Sequence, residues 1–362
     1  MMSEEDTLKI NTAAIKGGFN KTLGFIKQKK VINIIVIVLF LTLLIGSSWM
    51  RLQNLPLLKD STTGEYIPLA LDPFYFLRVA ETIVGEGGLP GVDVMRQPYE
   101  IYEIPFTNEI LPRAVVFLFN VAKVFDKDVT LQFIDVIYPV VFFGFGLIVF
   151  FFLIYSLTRS KGIALISSAF LAFIPPYIHR TLAGFADHEA IGMFAFFLTL
   201  LAYSSALRFL NKDEHIRKLK LKTISAGLLV GFLSVFTIVS WGGIANFIFM
   251  IIPLAFGLFW LIKAQNLGNI NKKQLQTFLL FYFVWFISSI LFGLIYGFSL
   301  QTMLNRVTLS STSLISGAVL LFTLIDFSLI NFKDKISFIK KEKLDKYRVL
   351  YSFLIVIFNI FD

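Results

Sequence analysis

Eight apolar runs, each about the length of a membrane-crossing helix, punctuate this 362-residue chain at roughly 31–50, 133–157, 162–178, 189–209, 223–240, 244–262, 276–298 and 312–330. A helix needs about 20 predominantly apolar residues to cross a hydrocarbon core ~30 Å thick, because backbone polar groups there must be paired internally. That repetition leaves an all-α polytopic membrane protein, with about 8–9 transmembrane helices, as the fold class. Composition agrees: 56% of residues are hydrophobic, 16% are charged, and the mean hydropathy is +0.76. Such values lie outside the range of soluble domains. The 42 phenylalanines read as lipid-facing and packing residues. No cysteine is present, so disulfides, thiolate chemistry and cysteine-ligated zinc are excluded.

The formal charge of +9 resides largely in short connections between the runs, which argues for orientation in a lipid bilayer and against a nucleic-acid partner. Residues 1–30 form a lysine-bearing tail (Lys16, Lys21, Lys27, Lys29, Lys30) read as cytoplasmic, and 31–362 form one transmembrane domain. The run at 31–50 is too long for a signal-peptide core and is kept as a span. Connections at 158–161, 210–222, 263–275 and 331–348 are basic, whereas those at 179–188, 241–243 and 299–311 carry few Lys or Arg. The positive-inside rule then places the N-terminus in the cytoplasm and every second connection outside, as expected of a multi-pass protein of the cell (plasma) membrane. Two connections therefore share the outer side: the long acidic loop 51–132, with helices expected at 73–84 and 111–125, and the segment Arg180–Glu189. A final apolar run from Val349 ends at Asp362 after about 13 residues, too short to cross, so the chain reads as cut off inside a helix.

Three outer stretches carry chemistry-bearing residues. In Asp72-Pro-Phe-Tyr-Phe-Leu-Arg78 the proline fits the first position of a helix, with Asp72 as its N-cap. In Arg180-Thr-Leu-Ala-Gly-Phe-Ala-Asp187-His-Glu189 the aspartate is placed to cap the next span, with Glu189 favoured by the helix dipole in its first turn. Residues two apart on a regular helix point nearly opposite ways, so Asp187 and Glu189 can face one cation only if the backbone at Asp187 is non-helical, which an N-cap supplies. Carboxylates with little sulfur or imidazole around them suit Mg²⁺ or Mn²⁺ better than Zn²⁺. His188 could serve as a ligand, but the flanking acids are the preferred pair. Arg180 fits either a snorkelling interfacial role or a hold on an anion or carboxylate. Ser240-Trp-Gly-Gly243 is an interfacial tryptophan followed by a tight turn.

Together, in this order and on one side, these stretches resemble the catalytic subunit of oligosaccharyltransferase in its single-subunit archaeal form. The resemblance rests on Asp72-Pro with Arg78 six residues on, the Arg180-x₃-Gly-x₂-Asp187-x-Glu189 arrangement, the acid pair opening the fourth span, and the Ser240–Gly243 turn. It implies the C-type membrane glycosyltransferase architecture and a divalent metal, Mn²⁺ or Mg²⁺, held by Asp72, Asp187 and Glu189. Arg180 would assist by holding the acids or a lipid phosphate, and these four residues would be catalytic. The implied donor is a polyprenyl (dolichyl)-phosphate-linked oligosaccharide, and the implied acceptor is asparagine of Asn-x-Ser/Thr in a polypeptide. The resemblance covers only the N-terminal portion of such enzymes. Their Trp-Trp-Asp-Tyr-Gly motif does not occur here, and 299–311 contains no acid. The expected property of these residues is thus donor binding without transfer to peptide. Two other readings are a protein O-mannosyltransferase or related lipid-phosphate-sugar transferase, against which the Arg180–Asp187 spacing argues, and a lipid-sugar transporter. The latter would place ionisable residues near mid-membrane, whereas the charges here are expected at span edges.

Overall fold

A computed structural model describes residues 29–89, 110–211, 216–265, 272–332 and 348–352. The N-terminal tail, part of the long outer loop and most of the final apolar run lie outside the described residues. The order is α1 (Lys29–Arg51), a 3₁₀ turn (Leu55–Leu58), α2 (Leu71–Glu86), α3 (Ile110–Phe125), α4 (Leu131–Thr158), α5 (Lys161–Phe173) and α6 (Pro175–His179). It continues with α7 (His188–Leu210), α8 (Ile216–Ser240), α9 (Gly242–Gln265), α10 (Lys272–Tyr296), α11 (Leu300–Leu304), a π-helical turn (Asn305–Leu309) and α12 (Leu314–Phe332). No strand occurs among the described residues; the nearest approach is one antiparallel bridge between Lys59 and Tyr66. Among the described residues, seven helices are long and apolar enough to cross a membrane, and a shorter apolar helix covers Lys161–Phe173.

The expected span at 162–178 is broken. Pro175 and Pro176 have no N–H to give, and a proline forces the residue before it out of the helical region. Ile174 is accordingly extended (φ −67°, ψ 123°), α5 ends at Phe173 and α6 restarts as one short turn. The helix expected at 73–84 also begins earlier. Ala70, extended, is the N-cap of α2, and Asp72 lies in the first turn with no side-chain cap bond. Pro73 is tolerated as the third helical residue because the first turn's N–H groups have no helical acceptor in any case.

The main core joins α7, α8, α9, α10 and α12. Its centre is an aromatic column in which Phe256 stacks on Tyr282 at 4.3 Å and Phe249 on Trp285 at 5.8 Å, all buried. Helices in lipid gain no hydrophobic drive from meeting each other, so close packing and interhelical hydrogen bonds bind them. Trp285 Nε1 donates to Ser234 Oγ at 3.0 Å, Tyr282 Oη to the Ser316 carbonyl at 2.9 Å, and Thr199 and Thr237 hydroxyls meet at 3.0 Å. A second cluster packs α2 and α3 on the start of α4 and on Ala186 and Ile191, carrying the long loop to the end of the bundle where α7 begins.

Candidate metal and donor site

The segment between α6 and α7 is held from both sides. The Arg51 carbonyl accepts from Ala183 N (3.0 Å), Asn54 Nδ2 donates to the Ala183 carbonyl (2.8 Å), and Leu69 N donates to the Gly184 carbonyl (2.8 Å). From α4, the Val136 carbonyl accepts from Gly184 N at 2.7 Å. The first long loop and the Arg180–Glu189 segment are thereby joined at one end of the bundle. Gly184 is the position where this clasp needs glycine: its φ is +85°, and a Cβ there would lie 2.6 Å from Leu58 Cδ1.

Beyond the clasp, Asp187 caps α7 with an extended backbone (φ −113°, ψ 176°). Its Oδ1 accepts from His188 N at 2.7 Å and pairs with His188 Nδ1 at 2.8 Å. The extended step turns Asp187 back over the helix, so residues 187 and 189 converge where a continuous helix would separate them. One ligand atom from each of Asp187, His188 and Glu189 lies within 4.8 Å of the others. Glu189 Oε1 accepts from Arg180 Nη1 at 3.0 Å, while its buried Oε2 has no partner. The Arg180 guanidinium also lies over the Phe185 ring at 4.8 Å. Burial would push the Asp187 carboxyl up, but the hydrogen bond and charge of His188, with Arg180 behind, outweigh it and hold the group below the usual aspartate range.

His188 is the meeting point. Its ring faces the Phe76 edge at 6.0 Å and Trp241 at 5.8 Å, so the Asp72 helix and the Ser240–Gly243 turn both reach the acid pair through it. Gly192, one turn into α7, admits the tryptophan: a Cβ there would lie 2.6 Å from Trp241 Cβ. Asp72 itself stands exposed on the second residue of α2, outside the three-residue cluster, with its charge acting on the His188 ring.

Two features escape the sequence reading. His188, set aside in favour of its neighbours, contributes a ring nitrogen to the cluster; the signal was its place between two acids at a cap. Asp135, on α4, is fully buried with neither carboxylate oxygen hydrogen-bonded, one turn before Tyr138, whose buried hydroxyl also lacks a partner. Asp135 stands near the start of α4, whereas Asp326, buried well inside α12, corrects the expectation that charges stand only at span edges.

The sequence matches the family model described as oligosaccharyl transferase STT3, N-terminal, over residues 34–359. The chain belongs to this family. One relative, named dolichyl-phosphooligosaccharide-protein glycotransferase, from Methanocaldococcus jannaschii, is 24% identical over 297 residues, covering 74% of this chain and 32% of the relative. Another of that name, numbered 2, from Archaeoglobus fulgidus, is 27% identical over 177 residues, covering 48% and 27%. The fold matches the archaeal oligosaccharyltransferase AglB of Archaeoglobus fulgidus in complex with an inhibitory peptide and a dolichol-phosphate, with TM-score 0.59, 18% identity, and coverage of 89% of this chain and 37% of that one. The oligosaccharyltransferase of the same organism in complex with Zn and sulfate gives TM-score 0.56 at 18% identity, covering 88% and 40%. This STT3-family chain thus spans about a third of the length of the relatives it matches.

Proposed function

We propose that this STT3-family chain holds the metal-dependent donor end of an oligosaccharyltransferase, which transfers glycan from a polyprenyl-phosphate carrier to asparagine of Asn-x-Ser/Thr. The observation that carries this reading is the meeting of Phe76, Arg180, Asp187, Glu189 and Trp241 around His188, from three separated stretches of chain. The donor set suits a divalent cation: two carboxylates and an imidazole within 4.8 Å, one of them offering a buried, unpaired Oε2. Asp187 and Glu189 would hold the ion, with His188 as ligand or as the group that orients Asp187, and Asp72 approaching from α2. Two carboxylates suit Mn²⁺ or Mg²⁺, and the imidazole nitrogen tilts the choice toward Mn²⁺.

A divalent ion bound there supplies Lewis-acid stabilisation of charge as the sugar–phosphate bond breaks. The chain's own residues do the rest. Arg180, half-exposed with a second face of its guanidinium turned from Glu189, can accept a donor phosphate while keeping Glu189 oriented. Trp241 and Phe76 wall the site with apolar surface that excludes water and strengthens these charge contacts. The outer face of the cell membrane is the proposed location, from the charge alternation of the connections.

The test is donor binding by the 362-residue chain in detergent, read with a radiolabelled polyprenyl-phosphate-linked oligosaccharide. Retention should rise with added Mn²⁺, fall on chelation, and drop by at least about tenfold in Asp187→Ala. Donor binding indifferent to both metal and Asp187 would contradict the proposal.

A further inference from the structure

Arg51 closes α1 and is fully buried, yet among the described residues no carboxylate pairs with it. A buried guanidinium is costly unless its donors are met. Here each nitrogen has a directed acceptor: Nη1 to the Ser47 carbonyl at 3.0 Å, Nη2 to the Ala172 carbonyl at 2.9 Å, and Nε to Thr181 Oγ1 at 2.7 Å. The Phe143 ring lies under the guanidinium, 3.5 Å from its centre. The Ala172 acceptor exists because of the break in α5: its helical donor would be the N–H of residue 176, which is a proline. The Thr181 hydroxyl in turn donates to the Tyr177 carbonyl. One planar side chain thus ties α1, the broken end of α5, and the residue next to Arg180.

A staple joining helices would need only the first two bonds. The third, with the Arg51 carbonyl accepting from Ala183 N at 3.0 Å, grips the segment whose next members are Arg180 on one side and Asp187 on the other. We infer that Arg51, through Thr181, is a positioning residue for the metal site, setting the height of the 180–187 segment so that Arg180 meets Glu189 and Asp187 caps α7 extended. This rests on the metal-site reading proposed above. Lysine could not replace it, since an ammonium lacks the fixed fork that reaches three acceptors in three directions.

The experiment compares Thr181→Val, Thr181→Ser and Arg51→Met in the 362-residue chain in detergent. Two readouts are used: Mn²⁺ affinity by electron paramagnetic resonance, and amide hydrogen exchange across 180–187. Thr181→Val should weaken Mn²⁺ binding by about tenfold, the lower end of the loss on removing groups that orient metal ligands, and should speed exchange at Ala183 and Gly184. Thr181→Ser, which restores the hydroxyl, should recover both. Combining Arg51→Met with Thr181→Val should cost no more than Arg51→Met alone. If Arg51→Met does not fold, the Val/Ser contrast at 181 decides. Faster exchange with unchanged Mn²⁺ affinity would reduce Arg51 to a staple and overturn the inference, as would no change in either. A parent chain that binds no Mn²⁺ would overturn the metal reading itself and the inference with it, whereas a parent that binds Mn²⁺ and a Thr181→Val that binds it equally overturn only the positioning role.

Discussion

At the scale of single residues, the chain places polar groups in its interior in two ways with opposite consequences. Arg51 is buried with each of its three guanidinium nitrogens bonded to an acceptor, so removing it should expose the cost of acceptors left without a donor. Asp135 is buried with neither oxygen partnered, and its environment is the apolar seam between α2, α3 and α4. Replacing an unsatisfied buried polar group by an apolar one of similar size removes a desolvation penalty instead of an interaction. Asp135→Leu should therefore leave the thermal midpoint in detergent unchanged or raise it by a few degrees. A fall of more than about 5 °C, on the order of 4 kcal/mol for a chain this size, would show that the carboxyl has an essential partner in the folded protein.

Elements show where sequence reasoning sufficed and where it stopped. Spans such as 133–157 and 276–298 are legible because lipid demands length and hydropathy; the helix Leu131–Thr158 contains the first, and Lys272–Tyr296 covers the second up to its last two residues. The cap at Asp187 was legible because an N-cap has a side-chain signature and fixed backbone geometry. The break at Ile174 was signalled by Pro175-Pro176, but the apolar run across it reads as one span. Asp326 was not legible, because its partners come from other elements: Trp260 Nε1 donates to Oδ2 at 2.9 Å, and Arg348 Nε to Oδ1 at 2.7 Å. Arg348 Nη2 also reaches the Ala264 carbonyl at 2.9 Å, so α9, α12 and the helical residues 348–352 are clasped by one buried pair. Breaking a buried ion pair from one side strands the other charge, typically at ~3–5 kcal/mol. Asp326→Ala should lower stability by that order in equilibrium unfolding in mixed micelles, whereas Asp326→Ala combined with Arg348→Met should recover much of the loss. Equal losses for the single and double changes would contradict the clasp.

For the whole molecule, one end of a helical bundle gathers parts that are far apart in sequence, and the rest of the fold makes that gathering stable. The first loop and α4 are each bonded through the backbone to the 180–187 segment, α2 rests on the start of α4 through a shared apolar cluster, and the α8–α9 turn leans Trp241 across α7 at Gly192. Which residues would converge was open to sequence only through order and sidedness. That the imidazole of His188 would lie at the centre, and Asp72 at the margin of the cluster, depended on the rotation of α7 and the start of α2, which no local pattern encodes. The central claim is that this end of the bundle is a divalent-cation site built on Asp187 and Glu189. The most direct measurement is a structure of the 362-residue chain with Mn²⁺, located by its anomalous scattering. The account predicts one strong peak with carboxylate oxygens of Asp187 and Glu189 at ~2.0–2.6 Å, lost in Asp187→Ala. No peak at saturating Mn²⁺, or a peak bound by neither acid, would contradict it.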